Sequence, residues 1–63
     1  MASETDEWRT AFIIAEEYGA DGVGFAAQMA ESFEIGGKTD AQNVWVSIME
    51  KVGALTSEKG LLH

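Results

Sequence analysis

Eleven carboxylates, one histidine at the last position and no cysteine set the chemistry open to this 63-residue chain. Glu16 and Glu17 are adjacent, so on a helix they point about 100° apart and do not converge on a proton or an ion. Glu31 and Glu34 share a helical face, but no histidine lies near them, and the Glu-x-x-His spacing of carboxylate-bridged metal sites does not occur. Asp21-Gly22-Val23-Gly24 offers one acidic ligand where a calcium loop needs several. The run Gly19 to Gly24 has the glycine density of a phosphate-binding loop, yet it follows a helix, lacks the lysine and carries an aspartate that repels phosphate. Ser32 and Ser47 are read as having no histidine or lysine base at helical spacing, which leaves neither as a nucleophile. The absence of cysteine removes disulfides and thiolate metal sites. The reading is of a protein that is not an enzyme and uses no cofactor or metal.

Three segments with a helical period must position these side chains. Ser3 followed by Asp6 approximates a capping box, and Glu4, Asp6 and Glu7 sit where the positive end of a helix dipole favours them. Trp8, Ala11, Phe12, Ile14, Ala15 and Tyr18 then form one stripe, with Gly19 placed as a left-handed stop. This predicts a helix over 4–18. Asp21 is read as the N-cap of a second helix over 22–35, with Phe25, Met29 and Phe33 spaced by four and Gly36-Gly37 ending it. Gly22 and Gly24 cost that helix about 1 kcal/mol each relative to alanine, a cost that close approach of another backbone would explain. Thr39 to Gln42 is a capping box for a third helix over 40–55, continuing through Gly53 towards Thr56. Residues 57–63 are expected to fray.

Short connections make consecutive helices neighbours. The expected fold is all-α, a single-domain three-helix bundle with Trp8, Phe12, Tyr18, Phe25, Met29, Phe33, Val44, Trp45, Ile48 and Val52 as its core. Burial of such side chains contributes roughly 1.5–3 kcal/mol each, but for chains this short the balance with conformational entropy is close to zero. Self-association is the expected remedy.

Two aliphatic residues fall off the stripes. Ile13 lies on the polar face of the first helix beside Asp6, Arg9 and Glu17, and Val46 lies between Asn43 and Glu50 on the third. Both are candidate contact residues. Acidic residues concentrate at the start, where Glu4, Asp6, Glu7, Glu16, Glu17 and Asp21 face only Arg9 in the first 21 positions. Asp6, Glu16, Glu17 and Asp21 are read as an acidic ridge able to dock a basic protein.

A net charge of −7 repels nucleic acid phosphates and anionic membranes, and the third helix offers only Lys51 to phosphate. No run approaches the ~20 apolar residues of a membrane span. The acidic N-terminus has no apolar core of a signal peptide, so a cytoplasmic location is expected.

The pattern Trp8-x-x-Ala11, Tyr18-Gly19-x-x-Gly22-x-x-Phe25-x-Ala27 and Trp45-x-x-Ile48 resembles a short helical family of alphaproteobacterial genomes and their mobile elements. The resemblance runs from Glu7 to Leu55 and implies a helical fold and a mobile-element setting, but transfers no functional residue. In size, acidity and lack of catalytic groups the chain is also similar in type to small phage-encoded inhibitors such as anti-CRISPR proteins. The expected function is a non-enzymatic helical module that inhibits or modulates a basic nucleic-acid-binding protein, with Asp6, Ile13, Glu16, Glu17, Asp21 and Val46 as partner-binding residues. The alternative is a self-assembling structural protein, a homodimer at its simplest.

Overall fold

The structure is a computed structural model that describes residues 4–61, with side chains described through Ser57. Helix α1 spans Glu4–Tyr18, a 3₁₀ turn takes Gly19–Asp21, α2 spans Gly22–Ile35 and α3 spans Thr39–Leu61. The described residues are therefore almost wholly helical and contain no strand.

The chain ends its first two helices by different means. Gly19 adopts φ +57, the left-handed conformation that glycine takes without strain, but the next residues resume helical geometry at once. Asp21 stands at the N-cap position of α2 with φ −76 and makes no side-chain capping bond. The expected aspartate cap is thus corrected: helical turns run on from α1 into α2, leaving no abrupt helix start for Asp21 to cap. The end of α2 is a full stop. Gly37 has φ +75, its N–H donates to the Glu34 carbonyl (3.0 Å), and the Lys38 N–H donates to the Phe33 carbonyl (2.8 Å). That paired reversal satisfies carbonyls that the helix leaves open. The Gln42 N–H then donates to the Lys38 carbonyl at 2.9 Å, so α3 starts one residue before the expected position 40.

Helix α3 is the spine. It passes through Gly53, which lies opposite Val23 of α2, and continues to Leu61 rather than stopping near Thr56. The expectation of a frayed end falls on side chains after Ser57, and at Leu62 and His63, that lie outside the described residues. Helix α1 runs parallel to α3, with Glu7 against Ser47 and Lys51, and Phe12 and Ala15 beside Leu55. Helix α2 runs back along α3, with Val23 near Gly53 and Phe25 edge-on to Trp45. Both lie mainly against α3 and touch each other little. The closed bundle of three mutually packed helices is therefore replaced by two helical runs, 4–35 and 39–61, the first bent at Gly19–Asp21.

The core is made of small residues. Ala11, Ile14, Ala15, Ala26, Ala30, Ile48 and Val52 are its buried apolar side chains, and Gly22 is buried with them. Of the expected core, Ile48 and Val52 are buried, whereas Phe25, Met29, Phe33, Val44 and Trp45 are half-buried. Trp8, Phe12 and Tyr18 are 42%, 54% and 48% exposed. The reason is close approach: alanine and glycine let the helix axes come together, which seats small residues at the contact and pushes large ones to its edges. Tyr18 stacks on Phe25 across the turn at 4.8 Å, covering the bend from outside.

Candidate interaction surface

Helix α1 buries one line against the rest of the molecule, Ala11, Ile14 and Ala15. With about 100° between successive residues, its remaining arc divides into two faces. Thr5, Arg9, Phe12 and Glu16 share one, next to Leu55 of α3. Asp6, Ile13 and Glu17 share the other. All seven are exposed, Ile13 at 59%. The acidic ridge read from the sequence is thereby split. Asp6 and Glu17 stay together with Ile13 between them, while Glu16 turns towards Leu55 and rims a small apolar notch lined by Phe12, Ala15 and Leu55. Asp21 is exposed in the 3₁₀ turn at the far end of α1.

Val46 does not join this surface. It is half-buried, and on α3 it lies about 20° from Gly53, the residue that meets Val23 of α2. The expected exposed aliphatic on α3 is corrected: Val46 is half-buried, and its helical position is on the side of α3 that carries Gly53 rather than the Ser47 and Lys51 contact with α1. Ile13 and Val46 are on different faces of the molecule.

Sequence reasoning missed the polar contact that holds α1 to α3. The Ser47 hydroxyl donates to Glu7 Oε1 at 2.6 Å, Lys51 Nζ donates to Ser47 Oγ at 2.7 Å, and Lys51 Nζ lies 3.3 Å from Glu7 Oε1. Lys51 also sits 5.4 Å from the centroid of the Trp8 ring, within cation–π range. The reading that Ser47 lacks a basic partner was wrong, because Lys51 is four residues further on and one helical turn brings them together. The geometry still does not make Ser47 a nucleophile. The hydroxyl proton points at the Glu7 carboxylate, whose basicity is reduced, and Lys51 is taken up in the same contact. Lys51 is thus engaged on three sides, by Glu7, Ser47 and Trp8.

The Ser47 hydrogen bond, followed by Lys51, holds the Glu7 carboxyl below the usual 4.5, against the opposing effect of burial. In the unfolded chain the carboxyl binds its proton at higher pH, so the stabilisation is present above the unfolded value and is lost as pH falls through the folded one. Glu7→Gln removes it. Urea denaturation of the two proteins is expected to differ most near about pH 7 and to converge at a pH below the folded-state pKa of Glu7. An equal difference at both values would show that Glu7 acts by shape and not by charge.

A larger depression of about 440 Å³ is lined by Gly37, Lys38, Thr39, Asp40 and Ala41, the end of the connection and the first turn of α3, with one charge of each sign. Among the described residues no three His, Cys, Asp or Glu side chains come together as a metal site, and no helix is long and apolar enough to cross a membrane. No protein-family model matches the chain, and no curated protein or solved structure does so either.

Proposed function

We propose that the chain is a non-enzymatic protein-interaction module that docks through α1 onto a protein with an apolar, basic surface. The observation that carries this reading is the distribution of side chains on α1. Its buried line is alanine and isoleucine, while Trp8, Phe12, Ile13 and Tyr18 lie exposed on it. Isolated exposed aliphatics are ordinary on small proteins, but Trp8, Phe12 and Ile13 are three large apolar residues left exposed on one 15-residue helix, with Trp8 and Phe12 side by side. The Asp6–Ile13–Glu17 face pairs an aliphatic anchor with acidic residues, with Arg9 at its edge. Such a face steers towards positive partners and is repelled by nucleic acid.

An inhibitor of a nucleic-acid-binding protein, in the manner of the small phage inhibitors that the chain is similar to in type, is the sharpest form of this proposal. Its acidic face would occupy a site built for phosphates. The test compares three immobilised baits in nuclease-treated host lysate: wild type, Ile13→Ser, and Asp6→Lys with Glu17→Lys. Support is a basic protein retained by wild type at low salt, released by salt and lost from both variants. Equal retention by all three baits would place the docking surface elsewhere.

A further inference from the structure

We infer that α1 also pairs with α1 of a second copy of this chain, antiparallel, about a two-fold axis at Phe12 and Ile13, so that Arg9 of each copy faces Glu16 of the other. The pattern begins in the sequence. Thr5, Arg9, Phe12 and Glu16 stand at i, i+4, i+7 and i+11, within an arc of about 60° on the helix, and every one of them is exposed.

Arg9 is the one cation in α1. Glu16 lies two turns along the same face, about 10 Å away, too far for the two to pair within their own helix. A second helix laid antiparallel brings residue 9 opposite residue 16, and two-fold symmetry makes that pair twice. A parallel arrangement would set Arg9 on Arg9 and Glu16 on Glu16. The charges therefore select one direction. Midway between them stands Phe12, 54% exposed, at the mouth of the notch lined by Phe12, Ala15, Glu16 and Leu55. The same axis brings each Phe12 against its counterpart, beside the other copy's notch, and sets Trp8 opposite the backbone at Glu17 of the second copy.

Solvent-exposed ion pairs add little affinity. Phe12 and Trp8 therefore supply the association, and the two Arg9–Glu16 pairs supply its register. The neighbouring face, Asp6, Ile13 and Glu17, adds negative charge on the other side of Arg9. The pair covers Trp8 and Phe12, which the basic partner proposed above would also use, and the Arg9 and Glu16 exchanges below separate the two associations. Contact along one 15-residue helix gives a small interface, which places the dimer among the weaker ones.

Sedimentation equilibrium of the full chain tests the pairing. The mass is expected to rise with concentration from 6.8 kDa towards twice that value. Arg9→Glu alone and Glu16→Arg alone each place like charges opposite one another twice, and each raises the dimer dissociation constant roughly tenfold. The double swap Arg9→Glu with Glu16→Arg restores wild-type association, because it rebuilds both pairs at the same net charge. Phe12→Glu leaves a monomer, with circular dichroism reporting the helix content of all variants. A chain that keeps its monomer mass at millimolar concentration overturns the proposal, as does a double swap no tighter than the single ones.

Discussion

Gly22→Val should lose most of the protein's stability. A Cβ at Gly22 would stand 2.9 Å from Val52 Cγ1 and 3.0 Å from Ile14 Cγ2, with the Ile14 carbonyl at 3.4 Å. Neither methyl has room to retreat, since Val52 is fully buried and Ile14 nearly so. Overpacking of this kind costs about 1–3 kcal/mol, and a core in a chain below 70–80 residues rarely supplies more than about 3–5 kcal/mol. Gly22→Ala is the milder case. It meets the same two methyls with one carbon and regains about 1 kcal/mol of helix propensity, so it should fold with a lowered urea midpoint. Far-UV circular dichroism during denaturation reads both. A Gly22→Val protein that melts with wild type would mean that α1, α2 and α3 do not converge at this glycine.

The second large effect is Ala26→Leu, which adds three carbons at a site with no exposure in the cluster shared with Ala11, Ile14, Ile48 and Val52. Leucine there drives α2 off its neighbours, and stability is expected to fall by about 1–3 kcal/mol or to vanish. Phe12→Ser is the instructive contrast. A sequence-based ranking places the aromatic far above the alanine, whereas the structure reverses the order. Phe12 is mostly in water, and its replacement should cost about 1 kcal/mol or less. The comparison belongs at protein concentrations where the midpoint no longer changes with dilution. If Phe12→Ser proved the more damaging, the small-residue core would be the wrong description.

This reversal shows what the amino-acid order could and could not reveal. The spans of α1 and α2 were legible because Gly19 and Gly37 write left-handed stops into the chain, and glycine there has a conformational meaning independent of tertiary contact. Gly22 was legible as a point of close approach, though not which side chains approach it. The core was not legible. A stripe containing Trp8, Ala11, Phe12, Ile14 and Ala15 spans well over 100°, and a helix resting on one main neighbour buries only part of it. Periodicity names the side that faces inward but does not decide between its edges. The acidic ridge failed for the same reason: Glu16 and Glu17 diverge, and only the position of Leu55 shows which one borders an apolar notch. Ser47 and Lys51 were one turn apart in plain view, but Glu7, which completes their network from 40 residues away, carried no local signal.

A core of alanines also governs how the protein responds to temperature. Heat capacity rises on unfolding in proportion to the apolar surface newly wetted, about 12–15 cal/mol/K per residue in ordinary domains. Here the largest rings on α1 are wet already, so that increment is smaller and the stability curve correspondingly flat. Calorimetry of the dilute chain should show a broad, shallow endotherm, and a narrower, taller one once something covers Trp8 and Phe12.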